Sequence, residues 1–187
     1  PHMIAIMSSA LDDIFASAMT RRLSPGQSLF SVGDPVKVMI RVNFGAVALR
    51  RVTEQGTVLT LHVARRGEVL AEASLHSAHY HCEAAAREAS EVALLPTHEF
   101  RDALRRDDDL VEIWVRILSR TVQETRMRAE IRTIRTVSDR LDAWLSLNNS
   151  LPPRGQLQEL AAEIGTSREA LYRELSRRKK AAGKLRI

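Results

Sequence analysis

The sequence predicts an α+β chain with an N-terminal β-roll, one long helix and a C-terminal helix-turn-helix of the winged-helix type. Three observations carry this. The first hundred residues alternate short apolar runs with glycine- or proline-containing turns; no Gly or Pro occurs from Glu99 to Thr136; and residues 157–175 hold two short amphipathic segments hinged on Gly165. The expected domains are 4–105 for the roll, 106–136 for the long helix and 137–187 for the helix-turn-helix.

Pro1-His2-Met3 reads as a cloning remnant, and residues Ile4 to Met19 read as a short amphipathic helix. Turn signals follow at Ser24-Pro25-Gly26, Val32-Gly33-Asp34-Pro35, Asn43-Phe44-Gly45, Gln55-Gly56 and Arg66-Gly67. They separate the apolar runs Val36 to Val42, Ala46 to Val52 and Val58 to Val63, in which apolar residues partly alternate. Short strands joined by regular turns predict a roll or sandwich.

After Pro96 the period changes. Thr97 is a candidate helix cap. Leu110, Trp114, Ile117, Leu118, Thr121, Val122 and Thr125 then recur at three- and four-residue spacing, flanked by Arg116, Arg120, Arg126 and Arg128. A helix with such a stripe needs something to bury it against. Part can pack on the roll; the length suggests a second copy of the chain across a two-fold axis, with Leu110, Trp114, Ile117 and Thr121 at the contact. A further helix is expected from Val137 to Leu147, ended by Asn148 to Gly155.

A hydrophobic fraction of 44% is enough for a core, and 27% charged residues are too few to suggest disorder. No apolar run approaches the roughly 20 residues of a membrane helix, no signal-peptide pattern is present, and the one cysteine, Cys82, has no internal partner. A cytoplasmic protein with no membrane partner is expected. The charge is uneven. Arg168 to Ile187 holds eight Lys/Arg against two Glu, whereas the remainder holds 20 basic and 21 acidic residues. A basic end on a near-neutral body is the footprint of a nucleic-acid-binding module.

The segment from Leu157 to Leu175 fits that reading. Leu157, Leu160, Ala161 and Ile164 form the inner face of a first helix, and Gly165 suits the left-handed residue that ends it. Thr166 or Ser167 suits the cap of a second helix, with Ala170, Leu171 and Leu175 packing it back. Arg168, Glu169 and Arg173 share its outer face. Arginine donates two hydrogen bonds to guanine O6 and N7, and glutamate accepts one from cytosine N4. Thr166 and Ser167 suit phosphate, as do Lys179 and Lys180 further on.

Leu160-Ala161, Gly165-Thr166-Ser167-Arg168-Glu169 and Arg173-Glu174-Leu175 resemble the recognition motif of the CRP/FNR superfamily of transcription regulators, and the order of parts is similar along nearly the whole chain. The resemblance implies a homodimer that binds a palindromic site in double-stranded DNA, contacts RNA polymerase if it is an activator, and is not an enzyme. It also implies that Arg168, Glu169 and Arg173 read bases. The family continues into a β-hairpin wing; Lys179 to Ile187 looks like a wing that stops at its first strand.

The resemblance extends to a cyclic-nucleotide-binding-like roll. Its ligand cassette runs Gly-Glu-Leu, then a gap, then Arg-Ser/Thr-Ala. The nearest match is Ala71-Glu72-Ala73-Ser74-Leu75 followed by His79-Tyr80-His81-Cys82-Glu83-Ala84. Glu72 fits, but Ala71 replaces the glycine and Tyr80 or a neighbouring histidine replaces the arginine. Neither supplies a bidentate charge for phosphate, so cyclic AMP is not the expected effector. Glu72, His76, Tyr80 and Glu83 are the effector-site candidates. On a strand, His79 and His81 share one face, a geometry suited to a transition metal or haem, with Cys82 as a further ligand or redox centre. A hydrogen-bonded polar pocket is the competing reading. Two other functional readings stay open: a ligand-independent DNA-binding dimer with a structural roll, and a cupin-like metalloenzyme, for which the spacing of Glu83 is too short.

Overall fold

The computed structural model describes residues 10–56, 58–148 and 150–184. The chain divides into two compact units, one up to Leu118 and one from Ser119.

In the first unit, residues 10–15 form a helix, α1. Eight strands follow: β1 (Met19–Leu23), β2 (Ser28–Phe30), β3 (Val38–Phe44), β4 (Ala46–Val52), β5 (Val58–Arg65), β6 (Val69–Leu70), β7 (Glu83–Ala86) and β8 (Ser90–Pro96). They pair antiparallel in two four-stranded sheets, β1-β8-β3-β6 and β2-β7-β4-β5. Helix α2 (Thr97–Arg106) and the start of α3 (Asp108–Thr133) complete the unit. The N-terminal helix ends earlier than expected. It stops at residue 15, Met19 opens β1, and residues 4–9 of the expected helix lie outside those described.

Burial explains why the strands alternate imperfectly. Ile40 and Val42 of β3 and Val92 and Leu94 of β8 face the other sheet, joining Leu23, Phe30, Val47, Leu49 and Leu70. Their neighbours Met39, Ala93 and Leu95 point outward, yet they too are buried, against Phe15, Phe100, Leu110, Ile113 and Trp114. A sheet covered on both faces reads as a continuous apolar run. Phe100 anchors that outer layer, fully buried and edge-on to Trp114 with ring centroids 4.9 Å apart. The β3–β4 turn needs Gly45, whose φ is +81° and whose Cβ would collide with the backbone of Ala89 and Ser90.

The long helix expected over 106–136 forms as α3, unbroken from Asp108 to Thr133, and a break at Asp107 sets it apart from α2. Asp107 is extended, with φ −138° and ψ 102°, and its carboxylate accepts the Leu110 N–H at 3.0 Å. Asp107 therefore caps α3 and separates it from α2; the absence of Gly and Pro in the sequence conceals the break. Thr97, expected as a cap, makes no capping bond; it is the buried first residue of α2. Leu110 and Trp114 are buried, and Ile117 half-buried, in the outer core of their own roll.

The second unit holds the end of α3, then α4 (Val137–Asn148), α5 (Leu157–Glu163) and α6 (Arg168–Lys184). Ile131, Leu141, Leu157, Leu160, Ala161, Ile164 and Leu171 form its core. The residues expected to begin a wing strand instead continue α6 as far as Lys184. Arg-Arg-Lys-Lys-Ala-Ala consists of strong helix formers with no turn signal before Gly183, which explains the difference. Among the described residues, no helix is long and apolar enough to cross a membrane.

Candidate nucleic-acid interface and sensor region

The helix-turn-helix forms as its residues dictate. Gly165 takes φ +67°, its N–H bonds to the Ala162 carbonyl at 3.2 Å, and Thr166 N–H bonds to Ala161 at 2.9 Å. Ser167 Oγ accepts the Ala170 N–H at 3.1 Å, the bond of an N-cap. Leu171 closes the hairpin against Leu160, Ala161 and Ile164.

Two arginines that the sequence reading missed hold the turn. Arg132, near the end of α3, donates to the carbonyls of Ala162 at 2.9 Å and Glu163 at 3.2 Å. Arg140 of α4 donates to Ile164 and Gly165. These are the carbonyls that a helix C-terminus leaves without intrahelical partners, and a cation there also opposes the helix dipole. The sequence carries no sign of it, because the partners lie 24 to 31 residues apart.

Arg168, Glu169 and Arg173 are all exposed on α6. Tyr172, also missed, stands between them, with the Arg168 guanidinium 5.3 Å from its ring centre. A ring in that position confines the guanidinium by a cation–π contact. Bonds from its own backbone N–H and from Ser167 hold the Glu169 carboxyl below the usual carboxylate range, so it stays an acceptor. An open groove follows this face along Glu169, Tyr172, Arg173, Ser176, Arg177 and Lys180.

Not all the basic residues of α6 face outward as free charge. Glu174 is nearly buried and takes Arg177 and Arg178, each at 2.7 Å. Arg178 also reaches Asp142 at 2.6 Å and the Ser138 carbonyl at 3.0 Å, bracing α6 against α4. The bonds from Arg177 and Arg178 hold the Glu174 carboxyl at about 2. Two of the cations counted in the basic end are thus structural. The i, i+3 and i, i+4 spacing of Glu174 with Arg177 and Arg178 was the available signal. Lys179 and Lys180 are exposed.

The sensor candidates do not converge. His79, Tyr80, His81 and Cys82 lie ahead of β7, so the strand that would set the two histidines on one face is absent. His76, His79 and His81 are exposed, and the His81 ring meets the Ser77 hydroxyl at 3.4 Å. Among the described residues, no three His, Cys, Asp or Glu side chains gather as a metal site. Cys82 packs half-buried on the inner core, and burial pushes its thiol up, away from a reactive thiolate. Glu83 pairs with Arg50 of β4 at 3.1 Å. Glu72 opens a one-turn 3-10 helix just after Ala71, which takes the left-handed conformation at φ +55°. Tyr80 is buried, stacked on Phe30, and donates to the Val38 carbonyl at 3.0 Å. Burial first, then the charges of Asp34 and Cys82, push its hydroxyl up to about 12.

Comparison with known proteins agrees with the fold. Residues 20–107 match the family model for the cyclic nucleotide-binding domain. The global nitrogen regulator of a Nostoc strain is 28% identical over 155 residues, covering 76% of this chain and 69% of that protein. Among solved structures, the c-di-GMP responsive global regulator CLP of Xanthomonas campestris is 22% identical with a TM-score of 0.71, covering 94% of this chain and 93% of that one. FixK2 of Bradyrhizobium japonicum is 16% identical with a TM-score of 0.72, covering 88% and 86%.

Proposed function

For a chain with a cyclic nucleotide-binding domain over residues 20–107 and the fold of CRP/FNR-type transcription regulators, we propose sequence-specific binding of double-stranded DNA by a homodimer. The observation that carries this reading is the outer face of α6. Arg168, Glu169, Tyr172 and Arg173 stand exposed at the start of a helix whose entry is fixed by Gly165 and Ser167. In the major groove, Arg168 and Arg173 would read guanine and Glu169 cytosine, while Thr166, Ser167, Lys179 and Lys180 meet phosphates.

The dimer is carried by α3. Leu110 and Trp114 serve the roll, but a second stripe is exposed: Val111 at 37%, Val115 at 52% and Val122 at 47%. With half-buried Leu118 these recur at spacings of four, three and four, the pattern of a two-helix seam. Two recognition helices about one DNA turn apart, roughly 34 Å, then face an imperfect palindrome.

In this reading the roll senses something other than cyclic AMP. A buried tyrosine, Tyr80, or an exposed neighbouring histidine stands where the cassette would hold arginine, and Arg50 already neutralises Glu83. The test of the DNA reading is Arg168→Ala and Arg173→Ala, titrated against a selected site and against random DNA. Each is expected to cost about 1–3 kcal/mol on the site and relax base preference. Equal losses on both DNAs would reduce these residues to phosphate contacts.

A further inference from the structure

One cavity in the roll shares only Tyr80 with the cassette and lies apart from Glu72, Glu83 and the α6 face. It has a volume of about 250 Å³ and opens at the edge of the two sheets. Its lower part is apolar, formed by Leu29 and Phe30 of β2, Val38 and Ile40 of β3, Leu94 of β8, and the Tyr80 ring. Its rim carries Arg21 of β1 and, from the β2–β3 loop, Asp34, Pro35 and Lys37.

The cavity is preorganised. The Phe30 and Tyr80 rings lie 3.7 Å apart at 11°, and the Tyr80 hydroxyl is tied to Val38. The rim loop is bonded to the segment that carries Tyr80: Tyr80 N–H to the Asp34 carbonyl at 2.9 Å, Gly33 N–H to the Tyr80 carbonyl at 2.9 Å, and Val36 N–H to the Ala78 carbonyl at 3.0 Å. A pocket that does not reorganise when filled retains more of its contact energy as affinity.

The rim charges select the occupant. Asp34 keeps its charge while one of its carboxylate oxygens accepts the Ser31 N–H at 2.8 Å and closes the loop's turn, so the rim carries two cations against one anion. Among the described residues, the side chains of Arg21 and Lys37 have neither a carboxylate nor a hydrogen-bond partner. Two exposed cations over an apolar floor complement a molecule with one anionic end and an apolar body. We infer that this cavity is a binding site for a small apolar monocarboxylate, its ring or branched chain on Phe30, Tyr80, Ile40 and Leu94 and its carboxylate between Arg21 and Lys37. Arginine supplies a two-point bond to a carboxylate and lysine a point charge. The volume holds a molecule the size of benzoate.

The inference does not depend on DNA binding, and neither does its test. The full chain, labelled with ¹⁵N, is titrated with benzoate and with its neutral isostere benzamide, each with and without excess cyclic AMP. Benzoate is expected to shift the amides around Leu29, Val38, Tyr80 and Leu94, whether or not the nucleotide is present. Benzamide, and benzoate on the double variant Arg21→Gln/Lys37→Gln, are expected to bind about tenfold more weakly, through loss of the charge-assisted bonds. Both substitutions lie on exposed side chains, so the unligated spectrum elsewhere serves as the control for folding. Three results would each overturn the assignment: no shifts at those amides, equal binding of benzamide, or undiminished binding by the double variant.

Discussion

Arg140 grips Gly165: its guanidinium donates to the Gly165 carbonyl at 2.7 Å and, from the same nitrogen, to the Ile164 carbonyl at 3.2 Å. A side chain on α4 thus fixes the turn that aims α6. Arg140→Met keeps the apolar stem but removes bonds worth about 1.5–3 kcal/mol to the turn. DNA affinity should fall by up to roughly that amount on the specific site and by less on random DNA, because a mis-aimed helix loses its base contacts while phosphate contacts persist. Gly165→Ala should act the same way, since φ +67° disfavours a Cβ and that Cβ would lie 2.8 Å from Arg132 Cγ. Fluorescence-anisotropy titrations of both variants measure this; unchanged affinity would remove the turn from the interface's construction.

Acid should loosen the second unit before ordinary carboxylates alone would require it. Glu174 is held at about 2 in the folded chain, below its unfolded value of about 4.3. Its contribution is therefore complete above about pH 4.3 and is lost as pH falls towards 2. Glu174→Gln should lower stability at pH 7 by about 1–3 kcal/mol and converge with the unaltered chain near pH 2. Trp144 fluorescence in a Trp114→Phe background follows the transition. A gap between the two proteins that stays constant with pH would assign the loss to packing instead.

Ala71 occupies a backbone conformation that suits glycine, with φ +55°. Left-handed geometry costs an L-residue about 1–2 kcal/mol, whereas glycine raises the unfolded-state entropy by about 0.4–1 kcal/mol. The first effect is the larger, so Ala71→Gly should stabilise the roll, by roughly 0.5–1 kcal/mol in urea unfolding. Ala71→Val should destabilise it by more than that.

The dimer seam has its own signature. Val115→Asp places a charge in the middle of the exposed stripe of α3, away from Leu110 and Trp114. Sedimentation should show the unaltered chain as a dimer and the variant as a monomer with its roll folded. Trp114→Ala, by contrast, should unfold the roll. A dimer that survives Val115→Asp would put the seam elsewhere.

The helix-turn-helix was the most legible part of the chain, because its information is local: Gly165, Ser167, and apolar residues at helical spacing on either side. The strands from Val38 to Arg65 were likewise marked by their turns. What stayed hidden was set by distant contacts. Periodicity put Leu110, Trp114, Ile117 and Thr121 at the dimer contact, whereas Leu110, Trp114 and Ile117 pack on their own roll and the neighbouring stripe through Val111 is the exposed one. The break at Asp107 carries no Gly or Pro. Over Lys179 to Lys184 the wing reading failed because family order suggested a strand where local propensity favours continued helix; residues 185–187 of that reading lie outside those described. His79 and His81 looked paired only on the assumption of a strand, which begins at Glu83. Arg132, Arg140 and the residues around the 250 Å³ cavity come together only in the folded chain.

Selection of DNA from a fully random pool by the purified chain tests the central claim most directly, run in parallel with an Arg168→Ala/Glu169→Ala variant. The expected result is an imperfect palindrome with half-site centres about 10 base pairs apart, whose most constrained G·C pairs lose their preference in the variant. A pool that stays random, or a preference the variant leaves untouched, would contradict the assignment of base reading to α6.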